Sequence, residues 1–326
     1  MSTTFRALYL DGKEPAAFRE LTTSDLQDGD VLVSVEYSSL NYKDGLAITG
    51  KGKVIRKFPM IPGIDLAGTV VESASPDYKS GDKVVAVGQG LGETRWGGYA
   101  QMQRVTADAL NHVPAPLDTR HAMSIGTAGF TAMLAILALE RMNVRPGGRE
   151  MIVTGATGGV GSVAVILLSQ LGYNVAASTG RPDNHDYLRA LGATTIIDRA
   201  TLEQKGPPLA PDRWAGGIDS VGGQTLASVV ASTVSFGAVA ACGLVGGVDL
   251  PLTVFPFILR NVSLLGISSP LAPKPLRDET WNRLAHDLPL SKLETITTIE
   301  PMSKLPGLAA QIIAAQIRGR PVIKNR

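Results

Sequence analysis

Met151-Ile152-Val153-Thr154-Gly155-Ala156-Thr157-Gly158-Gly159-Val160-Gly161-Ser162 decides how this chain folds. A short apolar run suited to a buried strand enters a glycine-rich turn, and an apolar helical run at 160–171 follows. The spacing of Gly155, Gly158 and Gly161 departs from strict GxGxxG and is closer to AxxGxxG with Ala156 first. Glycine allows the tight turn and lets backbone N–H groups approach a pyrophosphate, whose charge suits a helix N-terminus. Gly161 lets that helix pack closely on the strand. Glycine also serves ordinary loops, so the strand–turn–helix context is what gives the motif weight.

Downstream, short apolar strands at 174–178, 194–198, 217–221, 237–242 and 263–267 follow, and helices fit between the strands at 160–171 and 185–191. That rhythm predicts a parallel sheet covered on both faces, a Rossmann-type doubly wound α/β arrangement. Upstream the chain is β-rich. Runs at 6–10, 30–37, 68–72 and 83–87 are separated by Gly and Pro clusters, and the prolines of 59–65 mark a loop. A proline-free helical stretch at 127–141 stops before Arg145-Pro146-Gly147-Gly148. The tail carries a helix pattern at 308–318 and a strand at 321–324. With 326 residues, more than one core is expected. The division predicted is a β-rich domain at 1–124, a dinucleotide domain at 125–264, and a return to the first domain at 265–326.

Cofactor choice is read after the second strand, where an NAD site usually carries Asp or Glu ~20 residues past the turn to bind ribose hydroxyls. Here stand Ser178, Thr179, Gly180 and Arg181, which offer hydroxyl donors and a guanidinium fork and no carboxylate to repel a 2′-phosphate. NADPH is expected, held by Thr157, Gly158, Gly159 and Val160 at the turn and by these four residues. An exposed loop charge is the other reading of Arg181. Arg199, Val221, Leu244 and Ser268 follow the later strands and are expected to line the same crevice, although ordinary packing explains each taken singly.

Bulk composition narrows the class. A net charge of +2 provides no field to recruit nucleic acid or an anionic membrane. The N-terminus carries no apolar signal core, and the apolar stretch 132–139 is short of the ~20 residues that span a bilayer. The single cysteine, Cys242, excludes an intrachain disulfide and a multi-thiolate metal site. The four histidines are scattered without ligand spacing. A cytoplasmic protein with no nucleic-acid or membrane partner is expected.

This layout resembles the medium-chain dehydrogenase/reductase superfamily across essentially the whole chain, which implies that the β-rich part is a GroES-like domain completed by the C-terminus. Zinc alcohol dehydrogenases of that superfamily bind catalytic zinc with a Cys, a Gly-His-Glu segment and a later Cys or Asp. The matching stretches here are Ser39-Leu40-Asn41-Tyr42-Lys43-Asp44, without a thiol, and Gly63-Ile64-Asp65-Leu66-Ala67-Gly68, without His or Glu. A tetrahedral site needs three or four ligands, so no metal is expected. The chain is similar to the zinc-free quinone-oxidoreductase branch. More narrowly, residues 38–62, Trp96-Gly97-Gly98, Gly126-Thr127-Ala128-Gly129-Phe130-Thr131-Ala132-Met133 and Pro256-Phe257-Ile258-Leu259-Arg260-Asn261-Val262 resemble the NADPH-dependent acryloyl-CoA reductases. The resemblance implies reduction of the acryloyl-CoA double bond to propanoyl-CoA, a CoA-ester substrate and, by analogy, a homodimer.

Without a Lewis acid, hydride addition to a C=C bond conjugated to a thioester is the reaction that suits hydrogen-bond donors alone. Tyr42 leads the catalytic candidates, because a phenol is a competent proton donor at neutral pH. Asn41 and Asp44 either orient its loop or cap a helix starting near Lys43, and both readings can hold together. Arg95 is a cleft candidate or a surface arginine. Lys51, Lys53, Arg56 and Lys57 are either a contact for the phosphates of a CoA ester or a solvated loop face. A quinone or enone reductase and a non-catalytic NADPH-binding protein are the competing functions. Replacing Arg181→Ala should erode the preference for NADPH over NADH, read as the ratio of kcat/KM values; an unchanged ratio would refute the 2′-phosphate assignment.

Overall fold

In the computed structural model, which describes residues 2–326, the chain divides into two units. One comprises Met1–Thr127, Ser269–Ala285 and Leu293–Arg326; the other comprises Ala128–Ser268 and His286–Lys292.

The first unit opens with an antiparallel pair, β1 (Thr4–Tyr9) and β2 (Ala17–Thr22). Next come β3 (Val31–Ser39), α1 (Tyr42–Thr49), β4 (Asp65–Ser73), β5 (Lys83–Val87), β6 (Met102–Val105) and β7 (Asn111–His112). Alternation along β3 turns Val31, Val33 and Val35 into a core shared with Leu66, Val70, Val84 and Leu110, the period of two expected of a strand with one buried face. Helix α2 (Thr119–Arg141) follows and is interrupted at Gly126 (φ 50°, ψ −163°). It starts eight residues before the predicted stretch, because the segment before Gly126 is helical too. By length and composition α2 could cross a bilayer, but 89% of its most apolar window is buried inside the protein, as in a core helix.

The second unit contains β8 (Met151–Val153), α3 (Gly159–Gln170), β9 (Val175–Thr179), α4 (His185–Leu191), β10 (Thr195–Asp198), α5 (Arg199–Glu203), β11 (Trp214–Asp219), α6 (Gly223–Ala231), β12 (Thr233–Ala241), α7 (Phe255–Arg260) and β13 (Ser263–Gly266). All six strands are parallel, in the order β10-β9-β8-β11-β12-β13. This is the doubly wound order whose direction reverses between β8 and β11, where such sheets bind ligands beyond the strand ends. Residues 161–168 of α3 are buried on every face, which explains its unbroken apolar sequence. Strand β11 stops two residues short of the predicted end. The Asp219 carboxylate accepts the N–H groups of Val221 (3.2 Å) and Gly222 (2.7 Å) and turns the chain out of the sheet.

The chain then forms α8 (Lys274–Asp287), α9 (Leu290–Ile296), β14 (Thr297–Pro301), α10 (Leu305–Ile313) and β15 (Arg320–Lys324). Helix α10 lies earlier than the predicted 308–318. Pro306 fits its first turn, where no N–H is needed, and Leu305 and Ala309 turn into the core. Strand β15 pairs antiparallel with β3, with Ile323 opposite Ser38, so the last strand of the chain completes the sheet begun by its first third.

Candidate functional site

In the second unit, the turn after β8 is built for an anion. Gly158 is the N-cap of the twelve-residue α3 and contributes no side-chain cap bond, so the first N–H groups of the helix remain open to a ligand. Thr157, Gly158, Gly159 and Val160 are all part-exposed there. Gly155 holds φ +58°, and a Cβ on Gly161 would collide with the Gly155 carbonyl and the Ala156 backbone. The third glycine is therefore obligatory for close packing of helix on strand. Two groups that the motif alone does not reveal hold the turn in place. Thr154 donates its hydroxyl to Asp219 at 2.6 Å and accepts the N–H of Ser220 at 3.1 Å, joining the ends of β8 and β11 where the strand order reverses. Tyr187 on α4 donates to the Ser162 hydroxyl at 2.8 Å. Burial raises the pKa of Asp219, while bonds from Thr154, Gly222 and Val221 pull it down.

Ser178 and Thr179 end β9 in buried positions, whereas Gly180 and Arg181 are exposed. The Thr179 hydroxyl accepts the Arg181 N–H at 3.2 Å. Arg199, after β10, lies with its guanidinium against Gly180, where an added Cβ would stand 3.3 Å from its Nε. Its charge is shared with Glu203 at 3.0 Å. Arg199 thus lies against Gly180 and Arg181 follows it in the chain, two cations at these strand ends of a kind suited to a phosphomonoester. Val221 is half-buried beside Gly155, and Leu244 and Ser268 are exposed. Cys242 donates to the Asp219 carbonyl, and burial pushes its thiol up to about 12, which makes it a packing residue.

In the first unit, Tyr42 opens α1 and is 41% exposed. Asn41 and Asp44, which flank it, are buried. The Asp44 carboxylate accepts the Asn41 N–H and the Ile64 N–H, both at 2.9 Å, so it caps the helix and pins it to the start of β4. The Asn41 amide donates to Asp65 at 2.9 Å and to Ser39 and Asp44 at 3.2 Å each. Asp65 in addition accepts from the Ser39 hydroxyl, the Thr127 N–H and the Thr127 hydroxyl at 2.5–2.8 Å. Arg320 of β15 closes the cluster. Its guanidinium, 2% exposed, donates to Ser39 Oγ at 2.9 Å, Asn41 Oδ1 at 3.2 Å and the Ser124 carbonyl at 2.9 Å. The capping box at the start of α1 and the bonds from Asn41 and Asp44 to Ser39, Ile64 and Asp65 are compatible with either reading of this pair, helix cap or loop support. Arg95 is exposed in the glycine-rich loop before Trp96. Nothing in the sequence marks Arg320 as part of this cluster, because a bond spanning 281 residues leaves no local signal.

Burial, and then the neighbouring charge of Asp65, push Asp44 up to about 7, against the N–H donors that favour its ionised form. The same burial raises the Tyr99 phenol and lowers Arg320. Asp44 holds its proton more tightly folded than unfolded, where its value is 3.8. Its contribution to stability is therefore complete below 3.8 and is lost as pH rises through about 7. Replacing Arg320→Met should cost about 3–5 kcal/mol, because it strands two carboxylates in the interior. The cost should be smaller at pH 5, where Asp44 is protonated, than at pH 8. Urea unfolding at the two pH values checks this, and an equal loss at both would contradict the charge balance.

Two family models match: the alcohol dehydrogenase GroES-like domain at residues 27–115 and the zinc-binding dehydrogenase at residues 159–286. The residues present do not fit a zinc ion. Among the described residues no three His, Cys, Asp or Glu side chains are grouped for a metal, and Asp44 and Asp65 are already saturated by N–H and O–H donors. An acrylyl-CoA reductase of Ruegeria pomeroyi is 51% identical over 98% of both chains. The yhdH oxidoreductase of Salmonella enterica, crystallised with NADP, superposes with a TM-score of 0.95 at 51% identity and covers 99% of each chain. The yhfP protein of Bacillus subtilis, crystallised with NAD, gives 0.95 at 41% identity, covering 99% of this chain and 100% of its own. This chain belongs to the medium-chain dehydrogenase/reductase superfamily, in its quinone-oxidoreductase branch and with the acrylyl-CoA reductases.

Proposed function

We propose that this protein reduces the C=C bond of acryloyl-CoA to propanoyl-CoA with NADPH. The observation that carries the reading is the 51% identity, end to end, to an acrylyl-CoA reductase. The turn 157–160 would hold the pyrophosphate, and Ser178, Thr179, Gly180, Arg181 and Arg199 the phosphorylated ribose. A nicotinamide held by these residues would supply hydride for the β-carbon of the enoyl thioester. Tyr42 delivers the proton to the α-carbon, so that the C=C bond becomes a C–C single bond with one new C–H bond at each carbon and the cofactor leaves as NADP⁺. Asn41 and Asp44 keep the first turn of α1 fixed, and Arg320 balances the carboxylates behind it. With their polar atoms engaged internally, these groups position Tyr42 and do not touch substrate.

Purified enzyme with NADPH should turn over acryloyl-CoA with kcat/KM well above that for a benzoquinone; equal or better quinone turnover would sink the CoA-ester reading. In the same assay Tyr42→Phe should lower kcat about 10²–10⁴-fold, the range for a lost general acid. NADPH binding without turnover of any enone would instead support a binding protein.

We also infer a homodimer. Among the described residues strand β13 ends the six-stranded sheet with one edge unpaired, and Val254, Ile258 and Leu259, in and before the helix that precedes it in the chain, expose 60% or more of their surface. A two-fold axis at that edge would pair β13 with its own copy. Sedimentation should give twice the 34.2 kDa chain mass, and Ile258→Glu with Leu259→Glu should shift it to monomer. A monomeric wild type would refute the inference.

A further inference from the structure

The segment between α1 and β4 carries a concentrated positive charge. Lys51, Lys53, Arg56 and Lys57 lie within seven residues, and no Asp or Glu occurs between Asp44 and Asp65. All four are exposed, and none is paired with a carboxylate among the described residues. In a chain of net charge +2 this is a strong local concentration. The loop bearing it is firmly held. Gly50 closes α1 at φ +69°, the Arg56 N–H donates to the Glu93 carbonyl at 2.8 Å, and Ile55 packs against the core around Ile61 and Trp96. The Glu93 side chain, the acid best placed to neutralise the loop, is already engaged by Lys43 at 2.9 Å. Phe58 ends the basic run with its ring packed on Gly12, yet remains 46% exposed.

We propose that this loop is the docking site for the nucleotide end of the substrate, the 3′-phosphate and diphosphate of coenzyme A, with the exposed ring of Phe58 as a stacking surface for the adenine. The proposal rests on the CoA-ester reading above. Four unpaired cations beside an aromatic ring are what a polyphosphorylated purine nucleoside requires. A solvated loop face would need neither the missing counter-ions nor the rigid mounting. Helix α1, eight residues and about 12 Å long, separates Tyr42 at its start from the loop at its end. A pantetheine arm is long enough to span that gap, leaving the thioester at the Tyr42 end. NADPH carries phosphates too, but its pyrophosphate turn is a separate structure on α3.

The test is the variant Lys51→Ala, Lys53→Ala, Arg56→Ala, Lys57→Ala, assayed with NADPH and two substrates, acryloyl-CoA and acryloyl-N-acetylcysteamine, which has the same reacting atoms and no nucleotide. Loss of four partly screened ion pairs should raise KM for acryloyl-CoA roughly tenfold or more, with kcat within twofold. The wild-type KM for acryloyl-CoA should climb with ionic strength, and this slope should flatten in the variant. KM values for NADPH and for the short thioester should stay within twofold. Restoring charge with Arg at the three lysine positions and the native Arg56 should recover the low KM. If the wild type prefers acryloyl-CoA and the variant keeps that preference, the docking site is refuted while the CoA-ester reading survives. A wild type that does not favour acryloyl-CoA over the short thioester overturns both, and equal loss with both thioesters refutes the loop as a nucleotide site.

Discussion

The guanidinium of Arg320 is the interaction on which much of the first unit depends. It sits on the last strand of the chain and is buried among groups from β3, the turn before α1, β4 and α2. A buried cation is tolerated only where carboxylates and hydrogen-bond acceptors surround it. The fold supplies the carboxyls of Asp65 and Asp44 beside it and Ser39, Asn41 and two α2 carbonyls as acceptors. Several features follow from that need. Strand β15 must return to pair with β3. Gly126 must be glycine, because any side chain there would occupy the space of Arg320, Asp65 and Ser39, and its positive φ breaks α2 at that point. The broken helix in turn frees the Thr127 N–H and hydroxyl to bind Asp65.

The cluster stands on the residues that matched the zinc-ligand stretches of related dehydrogenases. One guanidinium here faces two carboxylates, so the balance of charge is closest to neutral when Asp44 keeps its proton. That accounts for a carboxyl held near 7 although several N–H groups point at it. The consequence is local rigidity: the side chains of Asn41, Asp44, Asp65 and Arg320 are all hydrogen-bonded behind the N-terminus of α1, from which the exposed Tyr42 projects.

The cofactor unit works by a different economy. Its site is almost entirely backbone: a turn too tight for side chains, a helix start without a capping side chain, and a strand end where the Arg199 guanidinium approaches Gly180. Side chains enter mainly as fasteners. Thr154 and Asp219 lock the two central strand ends together, and Tyr187 steadies α3 through Ser162. A backbone site of this kind leaves a mark in sequence because glycine is the only residue that fits.

That difference separates what the sequence determined from what tertiary structure decided. The glycine spacing, the βαβ rhythm, the missing acidic residue after β9 and the single cysteine are local facts, and each acts within a few residues of where it is written. They specified the doubly wound sheet, the dinucleotide turn and the lack of a thiolate metal site. Element ends were less legible. The stop of β11 depends on its own Asp219 side chain bonding forward, and the start of α10 on burial of Leu305. For Asn41 and Asp44 the sequence poses helix capping and loop orientation as two readings, and one set of hydrogen bonds at the start of α1 is compatible with both. Arg320 could not be found at all, because its partners are brought to it only when β15 closes the sheet. A contact made across nearly the whole chain has no periodicity or spacing to betray it; only the folded sheet defines its neighbours.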